Sequence, residues 1–237
     1  MTKLNYAQEI IDYCKKNRIS STQVADALGK TGVLPNIKPL NLDHHKVGLV
    51  RCIFTAFDSN YQLHDEIQEI NEDEVALIFC HELKEQAVLG ELVSKYCLYY
   101  KGAAAIVVQG LVRDIDRIRK DKYPIWSEDV TALGCSNKFI KAYPSARKKN
   151  MKMKFDGSIA ICDGGGVCVI PNTHLDANML HKLKLIELQE DVWAYCLNTL
   201  KWTTKEIICD KKYLKEETIL SKDKIDDLLK LNKLLKD

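Results

Sequence analysis

Apolar and polar positions change period along this chain, and each change marks an element. Residues 4–17 carry Ile10, Ile11 and Tyr13 at helical spacing, which predicts a first helix. Ser20-Ser21-Thr22 is an N-cap signal before the short helix 23–28, and Gly29 stops it. Pro35 and Pro39 mark a loop. Residues 47–57 are β-rich, with Val47, Leu49, Val50, Ile53 and Phe54. Residues 75–80 are short and wholly apolar, the mark of a buried strand. Gly90-Glu91-Leu92 is a turn that opens a helix over 93–100. A second apolar strand at 103–109 runs into the Gly110 turn. A charged helix over 114–122 points Ile115 and Ile118 inward, and Pro124-Ile125-Trp126 reads as a strand.

In the second half, residues 151–155 alternate apolar and Lys, which predicts a half-exposed strand with a solvated Lys face. Residues 159–162 and 167–170 flank Asp163-Gly164-Gly165-Gly166, a glycine-rich hairpin ending at Pro171. These glycines do not fit Gly-x-Gly-x-x-Gly before a helix, which rejects a dinucleotide site. Residues 175–200 read as a helix. After a β-rich or polar stretch, residues 222–236 form a last amphipathic helix with Ile225, Leu228, Leu229, Leu231, Leu234 and Leu235 as its stripe. No internal repeat or low-complexity linker separates two domains.

Composition narrows the function classes. In 237 residues, 46% hydrophobic and 29% charged content is that of an ordinary globular protein, with room for one large domain or two small ones. The net charge of +2 argues neither for a nucleic-acid protein nor for an acidic disordered one; Arg147, Lys148, Lys149, Lys152 and Lys154 cluster, but without interleaved aromatics a solvated face is the simpler reading than an RNA patch. No segment approaches the roughly 20 apolar residues of a membrane span. Nine cysteines lie mostly in apolar runs, without Cys-x-x-Cys. With no export signal in residues 1–6, that usage points to reduced thiols in the cytoplasm. The six His show no His-x-x-x-His spacing, and His44-His45 reads as surface rather than a zinc site.

The candidate chemistry lies in Arg113-Asp114, at the end of the 103–112 apolar run. A guanidinium fork fits a carboxylate or an enolate oxygen. An adjacent carboxylate is an oxygen ligand of the kind Mg²⁺ prefers. The alternative for the pair alone is a structural ion pair. Upstream, the backbone N–H groups of the helix opening at Gly90–Val93 are an anion site. Turn, helix, strand and pair form one α–β unit that can bring that helix start near Arg113 and Asp114.

The ordered motifs resemble the regulator of ribonuclease activity A family, which includes class II 4-hydroxy-4-methyl-2-oxoglutarate aldolases that also decarboxylate oxaloacetate. The motifs are Val24-Ala25-Asp26-Ala27-Leu28-Gly29, Gly90-Glu91-Leu92, Gly110-Leu111-Val112-Arg113-Asp114, Tyr123-Pro124-Ile125-Trp126-Ser127 and the 156–171 hairpin. The resemblance covers roughly residues 20–200. It implies an α/β sandwich of the swivelling β/β/α type, built by residues 1–200, with 201–237 as a C-terminal helical extension. It also implies homotrimers or homohexamers with the cleft between subunits. By the same resemblance, Arg113 and the turn Gly90, Glu91, Leu92 and Val93 bind a 2-oxo acid, the amides near Leu92 and Val93 taking its carboxylate. Asp114 would hold the Mg²⁺ or Mn²⁺ of a metal-dependent lyase. Arg117 stands where the aldolases usually carry an acid. The alternative is a non-catalytic member that binds and inhibits a ribonuclease or RNA-degradation complex.

Overall fold

The computed structural model describes residues 3–215 and 219–234. Its first helices form where local signals put them. α1 (Lys3–Asn17) buries Ile10 and Ile11. At α2 (Ser21–Ala27), the Ser20 hydroxyl accepts from the Gln23 N–H at 3.1 Å, and the Gln23 side chain accepts from the Ser20 N–H at 2.8 Å. This reciprocal pair satisfies two donors that the first turn leaves free. The strands are β1 (Lys38–Pro39), β2 (Lys46–Ala56), β3 (Val75–His81), β4 (Ala87–Leu89), β5 (Ala105–Val112), β6 (Ile125–Val130), β7 (Ile159–Asp163) and β8 (Gly166–Ile170). Between and after them lie α3 (Tyr61–Glu66), α4 (Glu91–Lys95), α5 (Ile115–Lys120), α6 (Ser145–Phe155), α7 (Ala177–Asn198) and α8 (Lys222–Leu234).

β2 joins two sheets. Its residues Lys46–Leu49 pair antiparallel with β7, and Val50–Ala56 pair parallel with β3. At Gly48 a side chain would overlap the Asp73 carbonyl oxygen, so this passage tolerates only glycine without adjustment. Beyond β3 the sheet continues in parallel through β5 to β6, with β4 also parallel to β5. β1 closes one edge antiparallel to β6, and β8 pairs antiparallel with β7.

Strand alternation sorts the side chains into layers. Val75, Leu77, Phe79, Ala105 and Val107 face β7 and β8, meeting Ala160, Cys162, Val167 and Val169. Ala76, Ile78, Ile106 and Val108 face the other way, onto Leu63, Ile67, Cys97 and Ile118. The opposite faces of β7 and β8 carry Ile159, Ile161, Cys168 and Ile170 into a third cluster with α1, α2, α7 and α8. Burial on both faces is why the parallel strands read as unbroken apolar runs. The result is the expected α/β sandwich, two β layers with helices outside each, and the C-terminal helices cover one face.

Several sequence expectations are corrected. Residues 151–155 are not a strand but the end of α6. Met151 and Phe155, four apart, share the face that packs on the core, whereas Met153 is 66% exposed. The stretch before α8 holds a π turn at Lys205–Cys209 and a 3₁₀ turn at Lys212–Leu214, anchored by buried Ile207 and Tyr213, rather than β structure. In α8, Ile225, Leu228 and Leu231 are buried but Leu229 is exposed. Leu235 and the side chain of Leu234 lie outside the described residues. His44 and His45 are half-buried, with ring nitrogens hydrogen-bonded to the carbonyls of Lys122 and Ile19. None of the nine cysteines, all among the described residues, forms a disulfide, and burial pushes the Cys14 and Cys97 thiols up to about 12. No helix among the described residues is long and apolar enough to cross a membrane.

Candidate functional site

The parallel pairing of β4 with β5 sets Leu89 opposite Val112. One residue further, the Arg113 N–H donates to the Leu89 carbonyl at 3.1 Å. The chain segments that leave the two strands, Gly90–Val93 and Arg113-Asp114, therefore emerge side by side. They do so at the carboxyl ends of parallel strands, where α/β sheets place ligands.

Glycine at 90 is required by close approach rather than by its dihedrals. Its backbone is extended, yet a side chain there would overlap Asp114 Oδ2 and press on Arg113 Cγ. That proximity lets the Glu91 N–H donate to Asp114 Oδ2 at 3.1 Å. Asp114 itself is left-handed, with φ 62° and ψ 35°, a conformation Asp tolerates better than most residues. It precedes α5, and its carbonyl accepts the Ile118 N–H at 3.1 Å. Arg113 Nε lies 3.8 Å from Asp114 Oδ2, with both side chains about half exposed. The loop after β6 runs along β4: Ala87 N–H donates to Leu133 O at 2.7 Å, and Cys135 N–H to Ala87 O at 3.2 Å. This puts Gly134 against Arg113, where any Cβ would overlap the guanidinium Nη1.

Arg113 and Asp114 stand between two clefts. The larger, about 730 Å³, is bordered by Glu91, Arg113, Asp114, Asp116, Arg117 and Thr131. The smaller, about 260 Å³, is bordered by Gly90, Leu92, Val93, Arg113 and Asp114, with Asn60, His64, Cys135 and Asn137. All six residues expected from the sequence thus border one or both clefts. Glu91 faces the larger, and its carboxylate accepts from the Tyr123 hydroxyl at 3.4 Å. The first-turn amides of Leu92 and Val93 have no intrahelical acceptor, by helix geometry, and border the smaller.

Besides β4 itself, five contributors to the smaller cleft were not anticipated: Asn60, His64, Gly134, Cys135 and Asn137. They belong to the segments after β2 and after β6, joined by the Asn60 N–H to Ser136 carbonyl bond of 2.9 Å. No local pattern in either segment announces that bond. Asn60 Nδ2 donates to the Val88 carbonyl at 3.3 Å, while its Oδ1 is buried without a partner. Burial raises the Cys135 thiol pKa, against the pull of Arg113 toward the thiolate.

A closed protein cage for a metal is not present: among the described residues, no group of three His, Cys, Asp or Glu side chains could hold an ion together. A hard ion such as Mg²⁺ is commonly held by one or two carboxylates, with water and substrate oxygens completing its shell. Asp114, about half exposed on the cleft wall with Glu91 and Asp116 on the same cleft, fits that open mode.

The RraA-like family model, described as Aldolase/RraA, matches residues 21–175. Protein DlpA of Legionella pneumophila subsp. pneumophila is 28% identical over 201 residues, 80% of this chain and 31% of DlpA. The chain therefore spans about a third of that relative's length. A Halalkalibacterium halodurans protein named "Putative 4-hydroxy-4-methyl-2-oxoglutarate aldolase" is 28% identical over 188 residues, 75% of this chain and 85% of that protein. Streptomyces coelicolor RraAS2, described as an unusual member of the RNase ES inhibitor RraA family, superposes with a TM-score of 0.57 at 22% identity, covering 73% of this chain and 91% of that one. With the family model matched over most of its length and the same fold in a solved structure, the chain belongs to the RraA-like family.

Proposed function

We propose that this protein is a divalent-metal-dependent lyase that breaks a carbon–carbon bond in a 2-oxo acid or related hydroxy acid, by aldol cleavage or decarboxylation. The observation that carries the reading is the convergence of Arg113, Asp114 and the first turn of α4 at the ends of β4 and β5. The aldolase name of one relative supports it. Arg113 would hold the substrate as a fork and add positive charge where negative charge develops on the oxo oxygen. The amides of Leu92 and Val93 would take the carboxylate. Asp114 would hold Mg²⁺ or Mn²⁺, with its carboxylate kept in place by the Glu91 N–H. Bound there, the ion would supply Lewis-acid stabilisation of that same charge. Residues 1–200 would form the catalytic domain and 201–237 an extension packed on it, and the subunits would assemble as trimers or hexamers.

The test mixes the protein with oxaloacetate and Mg²⁺ or Mn²⁺ and follows pyruvate. EDTA should abolish the reaction and added metal restore it. Asp114→Asn should weaken metal binding with the fold intact, because Asn also accepts the left-handed conformation. Activity that survives both treatments rules out the mechanism.

A second reading is a non-catalytic protein that binds and inhibits a ribonuclease or its RNA-degrading assembly. One feature favours it: Arg117 borders the larger cleft where the aldolases usually carry an acid. Ribonuclease inhibition without pyruvate release would select this reading.

A further inference from the structure

The small polar cleft does not end at a polar wall. His64, Leu92 and Val93 border it and also border a groove of about 520 Å³ lined by Ile67, Tyr96 and Tyr100. The polar cleft alone, about 260 Å³, falls below the roughly 300–1,000 Å³ of small-molecule sites. The groove adjoins that cleft at the three shared residues. One wall is made by the π turn Tyr96–Tyr100, which continues α4. The Tyr96 and Tyr100 rings are stacked, 6.0 Å apart with 17° between their planes, and both border the groove. Cys97 of the same turn is buried in the core and fixes the turn, whereas Leu92 is 77% and Tyr100 76% exposed. Core packing therefore accounts for Cys97 and leaves the exposure of Leu92 and Tyr100 unexplained. π turns are frequent at functional positions.

We propose that this groove receives an apolar tail of the substrate, so that the ligand is a 2-oxo acid carrying an aryl or branched alkyl group. The inference rests on the lyase reading of the Arg113 cleft. The acid end meets Arg113 and the first-turn amides, and the tail leaves past Leu92 and His64 onto the tyrosine wall. A ring on that wall gains offset stacking and loses its hydration. A compact acid leaves the groove empty.

Titration calorimetry on the full chain with Mg²⁺ compares phenylpyruvate with pyruvate. Burying the phenyl ring should make phenylpyruvate bind about 10- to 100-fold tighter. Tyr100→Ala, a change at an exposed position, should bring the ratio of the two affinities toward one. Arg113→Gln should weaken both acids. Equal affinities in the unaltered protein overturn the proposal, and so does a preference that survives Tyr100→Ala. A fall in particle mass for Tyr100→Ala, read by light scattering, also overturns it, because a second copy then covers the groove. If neither acid binds the unaltered protein, the lyase reading fails and this inference fails with it.

Discussion

At Gly90 a single hydrogen atom decides whether Asp114 can sit against the start of α4. A methyl group there would overlap Asp114 Oδ2, and neither the strand end nor the left-handed Asp114 backbone offers an easy retreat. Gly90→Ala should displace the carboxylate and break its bond to the Glu91 N–H. Misplacement of a catalytic group by about 1 Å can cost about 10²-fold. Pyruvate release should fall by about that factor, with far-UV circular dichroism unchanged. Full activity in this variant would detach Asp114 from the chemistry. At Gly134 the same logic applies to Arg113, whose guanidinium occupies the space a side chain would need. Arg113→Lys exchanges a planar fork for a point charge, so it should lose activity despite keeping the charge.

Among the elements, β2 and the turn before β3 are tied by a side-chain pair outside the site. Arg51 donates through Nε to Glu74 Oε2 at 3.0 Å and through Nη2 to Oε1 at 2.7 Å, and Glu74 also accepts the Asn71 N–H at 2.8 Å. Burial works to raise the Glu74 pKa, but the Arg51 and Asn71 bonds outweigh it and leave it below its ordinary 4.5. A carboxylate depressed in the folded state contributes stability that is complete above its unfolded pKa. That contribution is lost as pH falls through the lower folded value. Glu74→Gln should therefore cost about 1.5–3 kcal/mol at neutral pH, in the range for hydrogen bonds to charged groups. In urea unfolding, the gap between variant and unaltered protein should close as pH drops below about 4.5. A gap that stays constant down to pH 3 would assign the effect to something other than this ion pair.

Across the whole molecule, exposed apolar side chains gather near the site. Leu133, Phe139 and Ile140 are each more than half exposed, and the Phe139 ring meets Tyr61 edge-on at 6.0 Å. Leu133, Phe139 and Ile140 are on the loop that follows β6, and none of them lines the tyrosine groove. Such a patch fits subunit contact. Light scattering on the full chain should give a mass near three or six subunits, and Ile140→Asp should lower it. A concentration-independent monomer with full lyase activity would contradict a cleft shared between subunits.

What the sequence determined by itself was local. Ser20 with Gln23 specifies a helix start, because both partners of the capping box lie within four residues. The apolar runs at 75–80 and 103–109 read as strands because the layers bury both faces. The candidate residues at 90–93 and 113–114 were legible because each adjoins the end of a readable element. Other features needed the tertiary structure. Five residues of alternating pattern at 151–155 suit a strand or a helix, and only the core beneath Met151 and Phe155 selects α6. Nothing in residues 46–56 shows that one strand serves two sheets, since both halves are mostly apolar and read alike. Asn60, His64, Gly134, Cys135 and Asn137 carry no periodic signal. They reach the cleft through backbone bonds between segments some 75 residues apart, such as Asn60 N–H to Ser136 O, and no short-range preference encodes such a contact.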